Sequence, residues 1–128
     1  MNKALKWKIS LYAMCALYIV AGINHFINPD FYLSVMPSWL PYHELANQLS
    51  GIAEIILGLL LIPKSTRSIS AWLIIAMLSV FFVVIHIPMC FTAEVGTIMF
   101  WIAIIRLPVQ VVLINWAFKH SQRKREVA

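Results

Sequence analysis

Residues 98–118 read IMFWIAIIRLPVQVVLINWAF. Apart from Arg106, Pro108, Gln110 and Asn115 the stretch is apolar on every face. A water-soluble helix would keep one polar side, and none is visible here. At about 1.5 Å per residue, a helix of this length crosses a hydrocarbon core of roughly 30 Å. Its Leu, Ile, Val and Phe side chains favour insertion by at most about 4 to 7 kcal/mol, and Arg106 cancels roughly half of that. A guanidinium near the middle of a bilayer costs about 2.5–3.5 kcal/mol. The helix therefore belongs in lipid, and Arg106 needs a partner there.

Three further apolar runs lie upstream, at 9–27, 46–62 and 71–90. Asn28-Pro29-Asp30, the Pro63–Ser68 segment and residues 92–97 separate the runs. Together they predict an all-α integral membrane protein, a four-transmembrane-helix bundle forming a single membrane domain over residues 1–128. Composition agrees, with 62% hydrophobic and 12% charged residues, against roughly 45–50% and about 25% in soluble domains. So much apolar surface in so short a chain calls for lipid to cover it.

Charge placement sets the expected direction. Every Lys and Arg except Arg106 lies in the N-terminal segment, the 63–70 loop or the tail 119–128. The 28–45 and 91–97 segments have no Lys or Arg and carry Asp30, Glu44 and Glu94. This alternation predicts both termini cytoplasmic in a cell (inner) membrane. The formal charge of +5 then reflects contact with anionic lipid, and nucleic acid is excluded for want of a polar surface that could track phosphates. The basic start followed by an apolar run resembles a signal peptide. It has no A-x-A site, and Met14 before Cys15 is a poor lipoprotein box, so it is read as a retained helix. Cys15 and Cys90 fall towards opposite ends of their spans and are not expected to pair.

The 28–45 segment interleaves Phe31, Tyr32, Trp39 and Tyr42 with Pro29, Pro37 and Pro41. It predicts a short interfacial helix starting at Pro29, capped by Asn28. That helix would anchor in the headgroups or act as a lid over a cavity.

Polar residues within the spans are the functional signal. Glu54 and Arg106 each lie about eight residues from the same end of the bundle, roughly 12 Å deep. Glu54 is the one carboxylate deep in any span, so the two are expected to neutralise each other. Asn47, Ser50, Gly51, Glu54 and Gly58 recur at three- and four-residue steps and share a face, as do Cys15, Tyr18, Gly22 and His25. Small residues on such faces let helices approach, and polar ones bond across. Arg106 and Gln110 are four apart, while Ser79 and His86, seven apart, are expected to share an inward side. The candidate ligand-binding cluster is His25, Glu54, His86, Arg106 and Gln110. A structural ion pair between Glu54 and Arg106 is the plainer alternative. So are an interfacial, capped His25 and a His86 bonded to a carbonyl freed by Pro88. There is no CxxC, no GxGxxG and no clustered set of metal ligands, so no metal site is expected. A haem held axially by His25 and His86 is disfavoured.

The segments Gly22-Ile23-Asn24-His25-Phe26, Met36-Pro37-Ser38-Trp39-Leu40-Pro41, Ser50-Gly51-Ile52-Ala53-Glu54 with Gly58, and Arg106-Leu107-Pro108-Val109-Gln110 with Asn115-Trp116-Ala117 resemble the DoxX-like family of small membrane proteins. The likeness spans roughly residues 10–118 and implies a four-helix membrane bundle. It implies association with membrane redox systems or assistance to other membrane proteins, and carries over no catalytic residue.

The leading expectation is an accessory subunit of a membrane redox system, not an enzyme on its own. It would bind a quinone or other lipid-soluble molecule at the polar cluster, with a partner subunit holding the redox centre. A non-enzymatic assembly subunit of a membrane complex comes second. A small transporter comes third, since no inverted repeat or broken helix pair is visible.

Overall fold

The computed structural model describes residues 2–122. The basic residues Arg123, Lys124 and Arg125, part of the expected cytoplasmic tail, lie outside the described residues.

The protein is all-α. Helix α1 covers Lys3–Ile27 and opens on Asn2, whose side-chain oxygen accepts the Leu5 amide at 2.8 Å. Helix α2 covers Pro29–Val35. Its start at Pro29 follows from proline's fixed φ and missing donor, which suit a first helical turn. Asn28 occupies the cap position without capping: its amide donates instead to Asn24 Oδ1 at 2.7 Å. Helix α3 covers His43–Leu60 and follows Tyr42, which takes the left-handed conformation at φ 54°.

Helix α4, Lys64–Phe81, continues through one π-helical turn at Phe82–His86 into α5, Ile87–Thr92. The cause of the wide turn is Pro88. A proline ring clashes with the carbonyl four residues back and leaves it without a donor, and widening the turn relieves that clash. The Ile87 amide accordingly bonds the Phe82 carbonyl, one residue further back than in an α-helix. Helix α6, Ile98–Ser121, starts at Thr97, whose hydroxyl accepts the Phe100 amide at 3.3 Å, and it runs through Pro108 unbroken.

Each helix outlasts the apolar run that predicted it, except α3, which is shifted towards the N-terminus. Three stretches are long and apolar enough to cross a membrane: Lys3–Ile27, Lys64–Thr92 and Ile98–Ser121. Helix α3 falls short because His43, Glu44, Asn47, Gln48 and Glu54 dilute it. Those that matter point inward: Asn47 and Glu54 are buried, while Leu45, Leu49, Ile52, Ile56 and Leu59 form its exposed stripe.

Two close pairings build the bundle, α1 on α3 and α4 on α6. Gly22 and Gly51 set the first. A Cβ on Gly22 would stand 2.6 Å from the Gly51 carbonyl oxygen, and one on Gly51 would stand 2.8 Å from His25 Cβ. Neither position tolerates a side chain, so the backbones touch there. Leu11, Met14, Leu61, Ile74 and Leu78 fill the core between the pairs.

The π turn corrects one expectation. Ser79 is exposed and returns its hydroxyl to the Ile75 carbonyl at 2.8 Å. The extra residue in the turn breaks the rule that seven residues make two turns, so Ser79 and His86 do not share a face. Arg67, counted in the sequence among the basic residues of the 63–70 loop, lies in the first turns of α4 and is only 5% exposed. Its Nε donates to the Leu61 carbonyl at 2.8 Å and its Nη2 to the Ile62 carbonyl at 2.6 Å. The guanidinium also lies 5.1 Å above the Trp7 ring. It closes the end of α3, where carbonyls lack helical donors.

Candidate functional site

His25, Glu54, His86, Arg106 and Gln110 all line one cavity of about 250 Å³. Helices α1, α3, α4 and α6 and the π turn form its walls, and Tyr32, Val35 and Met36 from α2 and its end roof it. Apart from this polar set, Leu17, Leu78, Phe81, Ile85 and Leu113 give it an apolar surface.

The α1–α3 contact builds the first wall. His25 packs directly against Gly51, where a Cβ would stand 2.8 Å from His25 Cβ, so its ring reaches the α3 residues one turn to either side, Asn47 and Glu54. His25 Nε2 lies 3.1 Å from Glu54 Oε2. On the other side His25 Nδ1 meets Asn47 Oδ1 at 2.7 Å, while the Asn47 amide donates to the His25 carbonyl at 2.9 Å. Asn47 and Glu54 are two helical turns apart, and the imidazole is held between them. Tyr32 stacks on it with ring centroids 3.8 Å apart. His25 is thus buried and fully engaged, not an interfacial side chain.

Asn47 fixes the proton on this ring. Its amide nitrogen is spent on a carbonyl, so its oxygen must accept, and His25 Nδ1 must carry hydrogen. A neutral His25 would then turn the Nε2 lone pair on Glu54 at 3.1 Å. A proton on either Nε2 or Oε2 relieves that lone-pair contact, which is an ion-pair contact lying off the line of a full hydrogen bond.

The expected Glu54–Arg106 pair is not formed. Among the described residues the carboxylate's ion pair is with His25, and Arg106 makes none within 4.0 Å. Both line the cavity, but Arg106 places its guanidinium 5.1 Å above the Phe31 ring of α2. The reason is that α1 and α3 touch backbone to backbone, so the nearest cation to Glu54 is on α1. Helical spacing gives faces, and it does not give which helix approaches closest.

The remaining wall comes from α6 and the π turn. Gln110 is buried and donates to the Leu78 carbonyl at 2.8 Å, tying α6 to α4. His86 does not bond a carbonyl freed by Pro88; its Nδ1 is buried with no partner among the described residues. The Tyr18 hydroxyl, likewise buried and unpartnered, was missed as a site group although its place on the Cys15–His25 face was visible. Unpaired buried polar atoms are rare in folded proteins and ask for an explanation.

No group of three or more His, Cys, Asp and Glu able to hold a metal occurs among the described residues. His25 has both ring nitrogens engaged, which leaves none for axial ligation. Both cysteines are free thiols.

Residues 14–121 match the family described as Domain of unknown function (DUF8561). The chain belongs to that family. Its description names no activity, and the match does not assign the chain to the DoxX-like group. Comparison with curated proteins and with solved structures gives no match.

Proposed function

We propose that this DUF8561 protein is a four-span membrane protein that binds a lipid-soluble molecule bearing polar oxygens in the cavity between its helices. One observation carries the proposal: an apolar chamber whose wall gathers His25, Glu54, His86, Arg106 and Gln110, with the Tyr18 hydroxyl and His86 Nδ1 of the same wall buried without a partner among the described residues. Ligand sites of this kind are mostly apolar with a few converging polar groups. An engineered apolar cavity of about 150 Å³ holds benzene, so 250 Å³ suits one substituted ring and is too small for a tetrapyrrole. The DoxX-like resemblance makes a quinone the first candidate and an accessory role in a membrane redox system its setting. Arg106 would donate to a quinone oxygen, and the His25–Glu54 pair would hold an exchangeable proton beside it.

The fourth span is α3. Its apolar side faces out and its polar side faces the bundle, the arrangement a membrane demands. Its 18 residues reach about 27 Å at about 1.5 Å each. Ser10 and Trp7 near the start of α1 meet His120 and Trp116 near the end of α6. Both chain ends on one side fits an even number of crossings, and the basic segments make that side cytoplasmic.

Purified protein in nanodiscs should retain a short-chain quinone at one molecule per chain. Arg106→Leu should weaken retention about tenfold, the loss of one charge-assisted hydrogen bond. Retention unchanged by that substitution contradicts the assigned site.

A further inference from the structure

We infer that the cavity selects a ligand carrying an anionic oxygen, a carboxylate, a phosphate or the ionised hydroxyl of an acidic phenol or hydroxyquinone. The inference rests on the proposed binding site and adds the charge of its occupant.

The charges around the cavity do not balance. Asn47 forces hydrogen onto His25 Nδ1, and a proton on either Nε2 or Glu54 Oε2 relieves their contact at 3.1 Å. That proton makes imidazolium and carboxylate, or imidazole and carboxylic acid. Both arrangements sum to zero, so the only carboxylate among the described residues of the cavity wall is spent on His25 of α1.

Arg106 is left with its full charge. Its neighbours on α2 are the Phe31 ring face, 5.1 Å away, and Tyr32, a neutral phenol that lines the same cavity. His86, from the π turn, and Tyr18, from α1, add no negative charge, and Gln110 on its own helix is committed to the Leu78 carbonyl. Asp30 and Glu44 line a different cavity with His25 and Asn47. Neither forms an ion pair with Arg106 among the described residues. A guanidinium at bilayer depth is normally paired. The missing partner is an anion on an apolar body, its head beside Arg106 and its body against Leu17, Phe81 and Leu113.

The test compares probes that share one apolar body: 4-butylbenzoate against the neutral 4-butylbenzyl alcohol, with 4-butylphenyl phosphate standing for a lipid headgroup. Binding to the full chain is read by native mass spectrometry from mild detergent. The benzoate or the phosphate should bind about ten- to a hundredfold tighter than the alcohol, the range expected of a charge-assisted contact. Arg106→Gln should abolish the preference and Arg106→Lys should keep part of it. Preference for the phosphate over the benzoate assigns the site to a headgroup, and the reverse assigns it to a free acid. Equal binding of acid and alcohol to the unaltered protein overturns the inference and leaves the binding site standing. Failure of all three probes and of the quinone overturns both, and this comparison needs no variant to fold.

Discussion

The two ends of the bundle differ in what surrounds their buried polar groups. At the end where α1 begins and α6 finishes, many polar groups are spent on structure, although Trp7 Nε1 and His120 Nδ1 are buried there without a partner among the described residues. Arg67 holds the Leu61 and Ile62 carbonyls, and Ser10 accepts from Trp116 Nε1 at 2.7 Å while meeting His120 Nε2 at 3.0 Å. Ser70 bonds the Leu57 carbonyl and Ser68 the Ser121 carbonyl. At the α2 end, His86 and Tyr18 present polar atoms with no partner, and Arg106 has a ring face instead of a carboxylate. What sets the α2 end apart is the chamber that its polar groups line, and the proposed function places binding there and structure at the other end.

The comparison breaks if stability and binding do not separate along it. Arg67→Met should have the largest effect. It leaves two helix-end carbonyls without a charged donor, each worth about 1.5–3 kcal/mol, and should lower stability to unfolding in mixed micelles by about 3 kcal/mol or more. Gly51→Ala comes next, because its Cβ would press on His25 Cβ and the Gly22 carbonyl. Overpacking of this kind costs about 1–3 kcal/mol. Since it pries His25 from Glu54, it alone should damage both stability and ligand binding. His86→Phe should behave in the opposite sense to Arg67→Met. Removing an unpartnered buried nitrogen is neutral or stabilising by about 1 kcal/mol, while quinone or anion binding should fall measurably in the same mass-spectrometric titration. Ser10→Ala should be smallest, about 0.6 kcal/mol, the mean for an interhelical hydrogen bond in a membrane protein, with binding unchanged.

Much of this was legible before any coordinates. Three- and four-residue steps placed Cys15, Tyr18, Gly22 and His25 on one face of α1, and all four are buried. The same rule served α3, where Asn47, Gly51, Glu54 and Gly58 are buried, while Ser50 of that face is only half-buried. It also brought the whole proposed cluster onto one cavity wall system. What escaped was distance. The Glu54 partner depended on which helices touch and in what register: His25 lies opposite Gly51, between Asn47 one turn back and Glu54 one turn on, and helical spacing within each span does not give that register. Ser79 was misplaced because a π turn shifts phase, and Pro88 was the residue that could have warned of it. The burial of Arg67 was not legible, because a charge in a short loop gives no sign of the helix end that claims it.

The central claim is that the chamber beneath α2 is occupied in the cell. Native mass spectrometry of the protein taken directly from membranes tests it most directly, comparing the unaltered chain with Ala21→Trp, which fills the cavity from its α1 wall. The account predicts a discrete small-molecule adduct, one per chain, on the unaltered protein and its loss from the folded variant. An unaltered protein without such an adduct, or the same adduct on both, would contradict it.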